Sequence, residues 1–452
     1  MPRLLRPHWG RLEASPIAYR LARGFGWSFV GAVLSRVLGV CTSIVVARII
    51  GKVGVGQVGM VQSTVGVFSA FAGLGMGLTA TKYVAEFRHT DPGRASRIIK
   101  LSSTVCWCTG LVITLLVVVL SPWLARKTLG APELAQVIRI GSGLLLLGAV
   151  NGGQMGVLAG FEAFKTIAWV NFCSGLVSLP VTVAAMHWWG VAGAVWALVL
   201  NQALACALSH AALRAKAIEA KLPDSSISFA DFSLLWHFSL PGMLCTLVLA
   251  PANWICNALV VSRPGGYAEL GVFNAASSWS NAMSFLPSLL GQVVLPVLSQ
   301  ASGERNVVLS RKVMLAATKV NALFALPLVL AGCLVSPFIM RLYGPGFETG
   351  WSTLVLVLLT AGLVCLQGSA GQLLVASGRM WLTLLFYCVW GLCAVGLTWQ
   401  WVGAGAFGLA GARLFAQAVN GAGVLAFALW FMKASNSPPE PPVTLARVTE
   451  RP

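Results

Sequence analysis

The chain has 452 residues, 57% hydrophobic and only 10% charged, with 31 Lys and Arg against 13 Asp and Glu for a formal charge of +18. Soluble domains carry about 25% charged residues, so a water-soluble globule is excluded. The cations are scattered between apolar blocks rather than gathered on one domain, which also excludes a nucleic-acid-binding surface.

Those apolar blocks run to about twenty residues or more, the length an α-helix needs to cross roughly 30 Å of hydrocarbon. Closed β-barrels give weaker, alternating segments, so the fold class is all-α integral membrane. Residues 1–25 carry five arginines and no apolar core of signal-peptide length; they read as a basic cytoplasmic segment rather than a cleaved leader. Spans are expected near 26–47, 57–80, 101–123, 137–160, 167–189, 191–213, 234–261, 270–297, 316–337, 352–376, 380–402 and 405–432. They form a first lobe at 26–215 and a second at 234–433, joined by a cytoplasmic linker at 216–233. Residues 434–452 are rich in proline and polar side chains, with nothing to bury, and are expected to be a disordered cytoplasmic tail.

All eleven cysteines lie in apolar segments without CxxC spacing, so they read as small core residues, and no metal or cofactor is expected. With the N-terminus inside, the tails and even-numbered connections hold 22 of the 31 Lys and Arg. Seven remain on the other side: Arg48, Lys52, Arg126, Lys127, Arg139, Arg263 and Arg341. This asymmetry predicts that both termini are cytoplasmic.

The chain aligns with itself at a shift of 215 residues, placing Val46, Arg48, Gly51 and Gly56 on Val261, Arg263, Gly266 and Gly271, and Ser63 on Ser278. At a shift of 213, Gly190 meets Gly403. An even number of helices per repeat makes the two halves parallel, with a substrate path between them.

Three stretches carry a family resemblance: WSFVGAVLSRVLGVCTSIVVARIIGKVGVGQVGMVQSTVGVFSAFAGLGMGLTATKYVAEFR at 27–88, LAGFEAFKTIAWVNF at 158–172 with the WGVAGAVWAL that follows, and LVASGRMWL at 374–382. The sequence resembles the Wzx-type polysaccharide flippases of the multidrug/oligosaccharidyl-lipid/polysaccharide (MOP) exporter superfamily. That resemblance implies a MATE-like pair of six-helix lobes working by alternating access. The cargo it implies is an undecaprenyl-diphosphate-linked oligosaccharide, such as an O-antigen precursor, carried to the outer leaflet of the bacterial cytoplasmic membrane. It further implies partners in membrane lipid and polysaccharide polymerase machinery, and a monomeric carrier.

A lipid-linked diphosphate needs fixed cations inside the membrane. Arg36 lies near the middle of the first span, where an unpaired guanidinium facing lipid costs about 2.5–3.5 kcal/mol or more. It sits beside a small-residue stripe of Gly31, Ser35, Gly39 and Ser43. The resemblance points to it as well, since related lipid II flippases use a central arginine on their first helix. On the last span Arg413, Gln417 and Asn420 share one face, a cation followed by two amides. Arg48 and Arg263 are repeat-related cations at outer helix ends, read as a release site or as snorkelling anchors. Pro241, Pro251 and Pro287 remove backbone donors and are expected to kink helices seven and eight as gates, or simply to shape them.

The expected spans hold no Asp or Glu, whereas exporters of cationic drugs are expected to use buried carboxylates. A drug antiporter of the same fold is therefore the second reading. A membrane polymerase or ligase is the third, disfavoured by short outer connections.

Overall fold

A computed structural model describes residues 16–434 except 89, 221–222, 224–231, 285–289, 291–293, 295–296 and 300–306. Most of the basic N-terminal segment, nearly all of the linker after 220, Pro287 and the tail beyond 434 fall outside the described residues.

The helix Pro16–Gly73 breaks at Gly51, giving α1 (16–50) and α2 (52–73), and α2 resumes after Leu74 and Gly75 as Met76–Phe87. Next come α3 (Pro92–Trp123) and α4 (Leu134–Gly160). Phe164–Glu219 breaks at Gly190 into α5 (164–189) and α6 (191–219). The second half holds α7 (Phe232–Val261), α8 (Gly266–Met283), α9 (Val307–Leu342), α10 (Trp351–Ala376), α11 (Met380–Trp401) and α12 (Gly405–Ala434). Among the described residues these twelve helices overlap the expected spans; several run longer, because a helix continues past the hydrocarbon until a cap or a backbone break stops it, whereas α8 is described only to Met283 of the expected 270–297. At the start of α3 the stop is explicit. Asp91 accepts a hydrogen bond from the Arg94 N–H at 2.9 Å, and Pro92 occupies the first turn.

Helices α1 to α6 pack together, as do α7 to α12, and the two lobes meet mainly where α1 and α2 cross α7 and α8. Backbone geometry repeats along with sequence. Gly190 (φ 52, ψ −126) and Gly405 (φ 57, ψ −130) make the same sharp reversal between the fifth and sixth helices of each lobe. A Cβ disfavours that conformation, so both positions are glycine. Gly190 therefore pairs with Gly405 at a shift of 215 rather than with Gly403, which corrects the sequence alignment at this point.

The α4–α5 and α10–α11 turns also match. The left-handed residue is Glu162 (φ 57) in one and Gly378 (φ 72) in the other. Glu162 is held there by Arg88, which bonds its carboxylate at 2.6 Å and the Gly160 carbonyl at 3.1 Å. Two of the stretches that carry the family resemblance are thus the same turn in the two lobes.

Glu269, expected just outside the eighth span, lies in the first turn of α8, and its Oε2 accepts from the Ala406 N–H at 2.9 Å. A carboxylate in that place satisfies an orphan donor and the positive end of the α12 dipole. Glu269→Ala is expected to cost about 1 kcal/mol, read as a lower unfolding temperature of the purified protein with its secondary structure retained.

Candidate functional site

Among the described residues the interlobe hydrogen bonds cluster toward one end of the bundle, the end that holds Gly51, Gly265 and the 343–350 loop, while α7 also packs on the Met76–Phe87 continuation of α2. Helix α2 crosses α8 there at Gly56 and Gly271. A Cβ on Gly56 would collide with the Tyr267 carbonyl oxygen, and one on Gly271 with the Lys52 carbonyl oxygen. Lys52 and Tyr267 are themselves 215 residues apart, so the contact is reciprocal and marks where the pseudo-two-fold axis passes between the lobes. Only two glycines permit backbones to approach so closely. One turn deeper, the Asn274 amide fills the space beside Gly59.

Around this axis lies a layer of side-chain hydrogen bonds. Ser43 on α1 meets Ser278 on α8 at 3.2 Å, and both reach the Tyr343 hydroxyl, at 3.0 and 2.9 Å. Trp279 Nε1 donates to the same hydroxyl at 3.0 Å, and Tyr343 is 1% exposed. On the other side of the axis Asn257 Nδ2 on α7 donates to Ser63 Oγ on α2 at 3.0 Å, and Trp254 Nε1 donates to Thr64 Oγ1 at 3.0 Å. Ser63 and Ser278 are the repeat-related serines, each reaching the first helix of the opposite lobe. Tyr267 Oη donates to the Leu129 carbonyl at 3.2 Å, and Arg48 Nε to the Leu342 carbonyl at 2.7 Å. From the rise of 1.5 Å per residue, these bonds lie within about 20 Å of the Gly51 end. Interhelical side-chain bonds average about 0.6 kcal/mol in a membrane, so this seal holds the lobes together yet can part.

Arg36 lies just beneath it. Seven residues before Ser43, it occupies the same face of α1, about 10 Å farther from the sealed end, and it is exposed. Ser35, one position round the helix, turns instead to α5, where its hydroxyl meets the Asn171 carbonyl at 3.4 Å. Thus α1 packs inside its lobe through Ser35, while Arg36 lies on the side of the helix that carries Ser43.

Arg413 is placed differently. One terminal nitrogen donates to Asn257 Oδ1 at 3.0 Å, the guanidinium carbon lies 4.6 Å from the centre of the Phe273 ring, and Nε is buried with no hydrogen-bond partner. Gln417 (9% exposed) and Asn420 (5%) are buried within the second lobe. The expected face of one cation and two amides exists, but it is enclosed. Arg36 and Arg413 are not brought together on one open surface, because α7 and α8 cover α12 at this level.

Arg48 borders a cleft of about 430 Å³ above the seal, lined by Ala47, Gly51, Tyr343, Gly344 and Pro345. Arg263 is exposed in the α7–α8 turn, and no bond links it with Arg48. Pro251 is half-buried in α7, which stays helical through it; Pro241 lies in the same helix, and Pro287 is outside the described residues. Sequence reading missed Ser43, Trp254, Trp279 and Tyr343 as interlobe contacts. Ser63 and Ser278 had been marked by the repeat itself.

Comparison with known proteins comes to the same two-lobed fold. Residues 21–302 match the family described as "Polysaccharide biosynthesis protein". An "EPS I polysaccharide export inner membrane protein EpsE" from Ralstonia nicotianae is 26% identical over 33% of this chain, a match spanning 35% of that relative's length. A "Lipid III flippase" from Escherichia coli K12 is 22% identical over 64% of this chain and 69% of its own length. The solved "Inward-facing conformation of a multidrug resistance MATE family transporter of the MOP superfamily" superposes with a TM-score of 0.75 at 17% identity, covering 90% of this chain and 96% of that one.

Proposed function

Since the chain belongs to the polysaccharide biosynthesis protein family and has the MATE-like fold of the MOP superfamily, we propose that it is a flippase for an undecaprenyl-diphosphate-linked oligosaccharide, moving it from the inner to the outer leaflet of the bacterial cytoplasmic membrane. The chain is a multi-pass membrane transporter, not an enzyme. Both termini face the cytoplasm, as the Lys and Arg asymmetry supports, so the sealed end is periplasmic and the conformation is inward-open. The carrier works as a monomer and hands its product to polysaccharide polymerase machinery.

One observation carries the choice of cargo: Arg36 is exposed on α1, on the side of the helix that carries Ser43 and about 10 Å below the seal. A guanidinium in mid-membrane is retained where it meets a polyanion or a partner group, and a diphosphate is the anion that its planar fork fits. Drug exporters of the same fold would need carboxylates on that path. Among the described residues the acidic side chains within α-helices, Glu86, Glu219 and Glu269, lie near helix ends. In the cycle, the diphosphate enters from the cytoplasmic leaflet and engages Arg36. The Gly56–Gly271 contact then parts as the lobes rock, and the sugar leaves on the periplasmic side while the prenyl tail stays in lipid.

Arg36→Ala is expected to abolish translocation, measured as lipid-linked oligosaccharide reaching the outer leaflet, with expression and membrane insertion unchanged. Near-normal transport by that variant would reject the cargo assignment.

A further inference from the structure

Arg413 stands inside the seal rather than beneath it. It lies eight residues from Gly405, at the depth of Asn257 and Ser43 and about 10 Å closer to the sealed end than Arg36. Its guanidinium has five donors, yet its described partners are one amide oxygen and one aromatic face, and its Nε has no hydrogen-bond partner. Among the described residues no carboxylate forms an ion pair with it. An arginine kept only to fasten helices would be saturated by carbonyl oxygens; this one is under-satisfied where desolvation is costly.

The group that covers it is also the group that closes the lobes. Asn257 offers its oxygen to Arg413 and its nitrogen to Ser63 of the first lobe, both at 3.0 Å. When α7 leaves α2, the bond to Ser63 breaks and Asn257 loses the anchor that holds it over the guanidinium. An entering phosphate would take the place of the amide oxygen and also meet the empty Nε. The two nitrogens on that side of the guanidinium form the fork that binds phosphate in a bidentate manner.

We propose that Arg413 is a cryptic second site for the diphosphate group, covered by Asn257 while the Ser63–Asn257 bond closes the lobes and uncovered when it opens. This rests on the polyanionic-cargo reading and adds an order to it. Arg36 takes the diphosphate in the inward-open state, and Arg413 takes it over as the seal parts. Each cation then binds best in a different conformation, which differential binding requires of a ligand that shifts a two-state equilibrium.

The test uses the full chain reconstituted in lipid nanodiscs, with inorganic pyrophosphate as the probe. Two backgrounds are compared: one sealed by a disulfide between Ser43→Cys and Ser278→Cys, the other loosened by Ser63→Ala. Arg413→Gln is expected to leave pyrophosphate affinity unchanged in the sealed form and to weaken it about tenfold in the loosened form. Arg36→Gln should weaken binding in the sealed form. Arg413→Lys, which keeps the charge but not the fork, should give an intermediate loss in the loosened form, with an unfolding temperature that controls for a folding defect. An equal effect of Arg413→Gln in both backgrounds, or none in either while Arg36→Gln still weakens binding, overturns the cryptic site and leaves the cargo reading standing. Absence of pyrophosphate binding in every form overturns both.

Discussion

Gly56→Ala is expected to cut translocation severely, and Gly271→Ala to do the same, because each adds a methyl group where the backbone of the opposite lobe already lies. The added Cβ of Gly56 collides with the Tyr267 carbonyl, which as part of α8 cannot turn away as a side chain could. Overpacking of this kind costs about 1–3 kcal/mol. Placed at the contact that distinguishes the sealed from the open state, the same energy shifts their ratio by about 5- to 150-fold toward opening. Reciprocity sharpens the expectation: the two variants should match in sign and size, since each glycine meets the carbonyl of a repeat-related residue. Gly66→Ala is the control, lying on α2 with nothing within 4 Å of its Cβ position. The measurements are outer-leaflet appearance of lipid-linked oligosaccharide and labelling of a periplasmic thiol at Ser278→Cys. Normal transport by both glycine variants would remove the crossing from the mechanism.

The second large effect is expected from Ser43→Cys combined with Ser278→Cys. The hydroxyl oxygens are 3.2 Å apart across the lobe boundary, so thiols in their place come within reach of a disulfide. A covalent bond there fixes the seal that weak hydrogen bonds only bias. Oxidation should therefore reduce transport to background, and a reductant should restore it. Each single cysteine variant, oxidised alike, should stay near wild type, losing two hydroxyl contacts worth about 0.6 kcal/mol each. Among the described residues the native cysteines are unbridged, and Cys41 is exposed two positions from Ser43, so Cys41→Ser belongs in the same background. Undiminished transport by the cross-linked double variant would show that the lobes need not separate there.

Part of the seal was legible in the sequence. Gly56, Gly271, Ser63 and Ser278 stood out as identities in the internal repeat. A residue on a pseudo-two-fold axis touches its own repeat mate, so both copies meet the same constraint. Tyr343 left no such trace: it comes from a loop after α9, and its partners lie 300 and 65 residues away. Arg413 was found as a cation in a span, but its enclosure depends on α7 and α8, about 150 residues distant in sequence. A helical face can be read from spacing; whether that face meets a neighbour, a cavity or lipid cannot, since apolar surroundings of every kind use the same residues.

By itself the sequence determined that this is an integral membrane protein, how many helices cross, that they repeat in two halves, and that the intramembrane charge is basic. All of these follow from the bilayer acting as solvent, which sets span length, demands internally satisfied backbones and penalises charge wherever it lies. Only the tertiary structure decided which cation lies open and which is enclosed, and at which end the lobes close. Arg36 and Arg413 look alike as residues in apolar helices. They differ because α7, pinned to α2 through Asn257 and Ser63, covers Arg413, whereas Arg36 is an exposed position on α1.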